Sequence, residues 1–271
     1  MRNKLLVSAE DAKQNGEVEE FLEIIRARDL GMEIQEFSLP RVMHGDWKKR
    51  LAEYQDLLRD FQGDLAIHNA FWDLVNVSMD PEVLELTHKK FDFHFRIARE
   101  LGVKIIVSHF HWLPFHRDVL LRLWQEGQIR FWERYVDRAE KEDVYLVTEN
   151  VFEPRPEILK PIVDRVNSKR FKFIFDIGHA NIVSEVPLED WVKTFGNDLT
   201  YMHVHNNYRN YDEHNSVLKG TVNFDYLFLL FERLQIAPIL STEVFDRAAL
   251  LESLDYLQAK MRASRVYGIE H

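Results

Sequence analysis

Cysteine is absent from the 271 residues. That excludes a disulfide framework, a thiol nucleophile and a thiolate metal site. Any metal must therefore sit on His, Asp and Glu, donors that suit zinc, manganese, cobalt, iron or magnesium. A long apolar run is also lacking: nothing approaches the roughly 18 residues needed to span a bilayer, so no membrane partner is expected. The opening "MRNKLLVSAEDAKQNG" has too short an apolar stretch for a secretory signal, and a cytoplasmic location is expected. An excess of basic charge is missing too. Lys and Arg number 35 against 45 Asp and Glu, a formal net charge of −10. Generic attraction to nucleic acid or anionic membrane does not follow from such a balance. Glycines number only 10, and none forms a Gly-rich turn after the first strand. This disfavours an open dinucleotide-binding sheet.

What remains is 46% hydrophobic, enough for one large core. Short apolar runs alternate with longer segments of helical period. The runs are "KLLVSA", "MEIQEFSL", "DLAIHNAF", "KIIVSHF", "VYLVTEN", "FKFIFDIG", "LTYMHVH" and "PILSTEV". Strands alternating with helices predict a parallel sheet. Eight such units without a linker predict a single (β/α)8 TIM barrel over residues 1–271, an α/β fold.

In such a barrel the active site lies at the C-terminal strand ends and the loops after them. Metal-capable residues gather there: His68 on the third strand, His109 on the fourth, Glu149 on the fifth and Asp176 on the sixth with His179 a turn later. His203 and His205 end the seventh strand, Asp212 and His214 follow in its loop, and Glu243 ends the eighth. A lone histidine at a strand end is more often a hydrogen-bonded structural residue than a ligand. Six strands carrying such a residue at one level call for a common cause. Carboxylates crowded into a barrel mouth repel, and a divalent cation relieves the repulsion.

These residues stand in motifs: "TENVFEP", "FDIGHANI", "HVHNN…DEHNSVLKGTVNF" and "STEV". In them, and in their order along nearly the whole chain, the sequence resembles the xylose isomerase-like TIM-barrel superfamily. That superfamily includes sugar-phosphate isomerases, ketose 3-epimerases, inosose dehydratases and endonuclease IV-type repair enzymes. The resemblance implies a metal quartet of Glu149, Asp176, His203 and Glu243, with zinc or manganese the first candidates. It implies that Glu149 and Glu243 are also catalytic, relaying protons on opposite sides of a substrate carbon. His179 matches a residue that touches substrate or metal, and Arg209 a substrate-binding arginine. His68, His109, Asp212 and His214 match the extra ligands of a three-zinc nuclease site; they serve otherwise as substrate contacts. "HVHNN" carries Asn206 where an Asp is common, so the division of labour between His203 and His205 stays open, with His203 favoured.

Aromatic residues crowd the same rim: Phe71, Trp72, Phe110, Trp112, Phe115, Phe152, Tyr208 and Tyr211. Trp72 and Trp112, with His205, are candidates to contact a substrate; the alternative is that the aromatics cap the core. Trp124, Phe131 and Trp132 are expected in outer-layer packing. Arg41, Arg117, Arg155, Lys219 and Arg247 are loop cations that could hold a phosphate. The expected activity is a metal-dependent isomerase or epimerase acting on a sugar or sugar phosphate. The alternatives are a metal-dependent phosphodiesterase acting on abasic DNA, against which the net charge speaks, and a non-enzymatic sugar or metal sensor. A homo-oligomer is compatible with the sequence.

Overall fold

The computed structural model describes residues 2–9, 17–114 and 118–268. Eight parallel strands close into a barrel in chain order: β1 Leu5–Ala9, β2 Gly31–Ile34, β3 Leu65–His68, β4 Ile105–His109, β5 Tyr145–Glu149, β6 Phe171–Asp176, β7 Leu199–Val204 and β8 Ile239–Thr242. Closure is made by β1 on β8, with Leu5 beside Leu240. Around them run α1 Glu17–Ala27, α2 Pro40–Met43, α3 Trp47–Leu57, α4 Pro81–Leu101, α5 Asp118–Glu142, α6 Lys160–Val166, α7 Ile177–Val183, α8 Leu188–Phe195, α9 Phe224–Leu234 and α10 Arg247–Ala263. Among the described residues no helix is long and apolar enough to cross a membrane. The (β/α)8 expectation holds.

The barrel interior shows why the polar residues collect at one end. Leu6, Ala66, Val107, Val147, Ile174 and Tyr201 form an apolar plug inside the strands, together with Ile105 and Ile239. Side chains two residues apart on a strand share a face. Two residues beyond those six stand Ser8, His68, His109, Glu149, Asp176 and His203, all buried. One step along the pleat thus turns a dry core into a polar floor. The register aligns this layer: His109 lies beside Glu149 and Asp176 beside His203. The second pairing depends on an irregularity between β6 and β7, where the partner of Phe173 is Leu199 but that of Ile174 is Tyr201.

Two details differ from expectation. β2 ends at Ile34, and Glu36–Ser38 turns into a 3₁₀ helix, so "MEIQEFSL" is only partly strand. The carboxylate of Glu36 leaves the sheet line to accept from Arg50 at 2.7 Å and from the Tyr54 hydroxyl at 2.9 Å. Phe110 does not face the rim. It is fully buried in the layer between strands and helices, edge-on to Trp132 and Phe171. It follows His109, which faces the interior, so the pleat turns its ring outward. Trp124, Phe131 and Trp132 pack in that layer as expected.

Candidate metal centre and its cavity

Glu149, Asp176, His203 and Glu243 converge at the C-terminal mouth. The Nδ1 of His203 lies 2.6 Å from Glu149 Oε2, 3.6 Å from Asp176 Oδ2 and 3.6 Å from Glu243 Oε1. All four residues are buried. Among the described residues, His203 Nδ1 and Glu149 Oε2 are buried with no hydrogen bond of acceptable geometry. Buried polar atoms left so are costly. An electron-pair acceptor between them removes the cost, and this donor set, two carboxylates and an imidazole joined by Glu243, fits a zinc- or manganese-type cation.

The other predicted ligands form two flanking groups. His109 Nε2 is 2.5 Å and His68 Nε2 3.7 Å from Glu149 Oε1, so Glu149 is shared with the quartet. On the other side, His214 Nε2 is 2.9 Å and His179 Nε2 3.3 Å from Asp212 Oδ2. His205 stands between, its Nε2 3.3 Å from Asp176 and its ring stacked 4.2 Å from that of His214. Several of these rings are fixed in the same way. The Nδ1–H of His68 donates to the Asn69 carbonyl at 2.8 Å, that of His179 to the Asn150 carbonyl at 3.0 Å, and that of His214 to the Glu243 carbonyl at 2.8 Å. A carbonyl oxygen only accepts, so these contacts fix the tautomer and leave Nε2 facing the carboxylates.

The local sequence explains the pre-shaping. Asp176 caps α7: its Oδ1 accepts from the His179 N–H at 2.6 Å, leaving Oδ2 toward His203 and His205. Asn206, the departure from the usual Asp, is a clasp. It donates to the carbonyls of Val217 and Val222 and accepts from the N–H groups of Asn207 and Val222. These bonds pin the loop that carries Asp212 and His214.

Charge follows the same layout. Burial raises the Glu149 carboxyl, but His203 and His109 outweigh it and hold it well below the usual carboxylate range. Burial, with Asp176 and Glu149 nearby, pushes Glu243 up despite His203 and His214. Burial opposes charge on His203, yet Glu243, Glu33 and Glu149 keep it well above the ordinary imidazole value. His214 is raised to about 9: burial opposes, and the Asp212 hydrogen bond and the Glu243 charge win. His109 moves down, chiefly by burial.

Against the flanking groups opens a cavity of about 690 Å³. Its walls include Phe71, Trp72, Trp112, Phe152 and Tyr211, and His109, His179 and Asp212 reach it from the metal side. Trp72 and Trp112, the two tryptophans named from the sequence, are both in that lining. Arg209 is exposed in the β7 loop with φ 69° and is not among the cavity-lining residues. Tyr208 is exposed outside the cavity as well. Phe115 and Arg117 lie outside the described residues. Two residues escaped sequence reading, both from β2 and its end. The Glu33 carboxylate accepts from His203 Nε2 at 3.0 Å, and the Gln35 amide donates to both Glu243 and Ser8. Glu153 was missed too; burial lifts its carboxyl to about 7. Its only signal was a second acid four residues after Glu149.

A closed (β/α)8 barrel with a ring of buried carboxylates and imidazoles at its C-terminal mouth defines a TIM-barrel protein with side chains that could hold a metal ion. The xylose isomerase-like TIM barrel family matches residues 24–262, and the chain belongs to it. An uncharacterized protein of Methanocaldococcus jannaschii, MJ1311, is 28% identical over 183 residues, 62% of this chain. The chain covers 60% of the length of that curated relative. The TTHB071 protein of Thermus thermophilus, in a crystal soaked with ZnCl2, is 27% identical, with a TM-score of 0.76 over 97% of this chain and 99% of that one. A D-tagatose 3-epimerase-like protein is 21% identical, with a TM-score of 0.76 over 96% and 97%. The IOLI protein, solved with a bound zinc atom, is 16% identical, with a TM-score of 0.71 over 97% of each chain. The structural neighbours thus include an epimerase-like protein and a barrel with a bound zinc atom on the same fold.

Proposed function

We propose that this protein is a divalent-metal-dependent isomerase or epimerase of a sugar. The observation that carries the reading is the convergence of Glu149, Asp176, Glu243 and the orphaned His203 Nδ1 next to a cavity of sugar size or larger, whose wall residue His109 lies 2.5 Å from Glu149. Glu149, Asp176, His203 and Glu243 would hold the cation, with His203 rather than His205 as the imidazole ligand. A bound divalent cation would polarise the substrate carbonyl and lower the cost of removing the adjacent proton. One of Glu149 and Glu243 takes that proton from carbon as the C–H electrons move toward the carbonyl oxygen, leaving an enolate of the sugar. The other carboxyl returns a proton to the opposite face. Each becomes acid in turn as the reaction runs backward. His68, His109, His179, His205, Asp212 and His214 bind substrate hydroxyls or further cations. Trp72 and Trp112 stack on the sugar and keep water from the enolate.

A neutral sugar fits better than a sugar phosphate. Among the described residues no Lys or Arg lines the cavity. Arg155, Lys219 and Arg247 face Glu185, Glu252 and Glu20 respectively. A second reading, hydrolysis of a phosphodiester in abasic DNA, draws on one feature: Glu149 joins two ligand groups and a third gathers on Asp212.

The test is a panel of ketoses and ketose phosphates in heavy water, with manganese, cobalt or zinc, beside an abasic-site oligonucleotide. Solvent deuterium is expected at the carbon next to the ketose carbonyl. Oligonucleotide cleavage with no exchange into any sugar sinks the first reading and promotes the second.

Zinc binding that engages His214 in the metal-free protein is expected to release a proton at neutral pH. His214, raised to about 9, carries a proton there and must lose it to ligate. Where His214 is the ligand, affinity rises about tenfold per pH unit until about pH 9, then levels. Titration calorimetry in two buffers of different ionisation enthalpy measures the protons; binding enthalpies that do not depend on the buffer refute this.

A further inference from the structure

β2 supplies no ligand to the quartet, yet one of its side chains reaches the centre from inside the barrel. Glu33 is fully buried. A buried carboxylate is expensive unless its oxygens are satisfied. Here the Tyr201 hydroxyl donates to Oε2 at 2.6 Å, and His203 Nε2 approaches both oxygens, at 3.0 and 3.2 Å. On the far side of the same imidazole, Nδ1 faces Glu149, Asp176 and Glu243 without a hydrogen bond.

We infer that Glu33 is a positioning residue for the metal centre. By accepting the Nε2–H of His203 it fixes the ring's orientation and tautomer, so that the Nδ1 lone pair is the one presented to a cation. The negative charge behind the ring also strengthens that lone pair as a donor. Tyr201, two residues before His203 on the same face of β7, holds the Glu33 carboxylate in place in turn. Glu33 acts from behind the imidazole rather than as a ligand: its oxygens lie at hydrogen-bonding distance from Nε2, and one already accepts from Tyr201. This rests on the metal part of the proposed function and not on its sugar chemistry.

The experiment measures zinc affinity of the full chain by competition with a chromogenic chelator, for the parent protein, Glu33→Gln and Tyr201→Phe. Glu33→Gln keeps an acceptor oxygen but loses the charge, and zinc should bind about 10–100-fold more weakly. Tyr201→Phe removes one hydrogen bond to Glu33, and affinity should fall about 2–10-fold. The parallel readout is nitrogen-15 NMR of labelled histidines in the zinc-loaded protein. The parent should show a His203 Nε2–H signal protected from solvent exchange, and Glu33→Gln should shift it and speed its exchange. Far-ultraviolet circular dichroism of the metal-free variants reports whether they fold. Zinc affinity of folded Glu33→Gln equal to that of the parent overturns the inference. If Glu33→Gln does not fold, Tyr201→Phe decides: unchanged affinity with an unchanged Nε2–H signal overturns it equally. A parent chain that binds no zinc, manganese or cobalt removes both the inference and the metal reading. The predicted zinc losses without turnover of any sugar leave the inference standing and sink the epimerase reading alone.

Discussion

Replacing Glu243 by Gln is expected to lower turnover of the proposed sugar substrate by about 10²–10⁴, the usual scale of general acid–base catalysis. Zinc or manganese binding should weaken much less. The amide keeps a carbonyl oxygen where Oε1 now stands 3.6 Å from His203 Nδ1, but it cannot accept a proton from carbon. The change is nearly isosteric at a residue only 5% exposed, so the fold should hold. The Gln35 amide, which donates to the present carboxylate, can still donate to the new carbonyl. Deuterium wash-in should distinguish the two carboxyls. If Glu243 is the base for one epimer, exchange from that epimer disappears while the Glu149 side retains partial exchange. Parent-like turnover in Glu243→Gln with metal bound would remove Glu243 from the chemistry and leave it a ligand only.

The sequence carried much of this site because strand chemistry is local. Two-residue alternation and the C-terminal position of polar groups on a strand are properties of each short segment. Glu149, Asp176 and His203 could therefore be placed at one level without knowing their partners. Glu33 could not. It stands in "GMEIQEF", where Glu33 and Gln35 alternate with apolar neighbours as on an ordinary solvated strand face, and only barrel closure puts it behind a ring 170 residues away. Gln35 was invisible for the same reason. Phe110 misled because rim proximity was read from sequence adjacency to His109, whereas the pleat sends adjacent side chains to opposite layers. The end of β2 at Ile34 depends on Glu36 finding Arg50 and Tyr54 on α3, a tertiary choice that propensity does not encode.

The glycine of "DIGH" should prove as demanding as the ligands around it. A Cβ built on Gly178 lies 2.0 Å from Cε1 of His205, 2.4 Å from its Nε2 and 2.5 Å from its Nδ1. The ring has no room to retreat. It is fully buried, stacks at 4.2 Å on His214 and holds Nε2 at 3.3 Å from Asp176. Gly178→Ala must displace the ring or the first turn of α7, which Asp176 caps. Overpacking of this kind costs about 1–3 kcal/mol, and each kcal/mol lowers Tm by about 2–4 °C in a chain somewhat smaller than this one. The displaced ring would press on Asp176 and His214, so metal affinity should fall with stability. The double variant Gly178→Ala/His205→Ala tests the cause, because the methyl then occupies space the ring has left. Its destabilisation should be well below the sum of the two single changes, the mark of residues in direct contact. Thermal melts of the four metal-free proteins give the coupling, and chelator competition gives the metal loss. Additive melts, or a Gly178→Ala protein as stable as the parent, would show that the ring moves freely and that glycine is not required there.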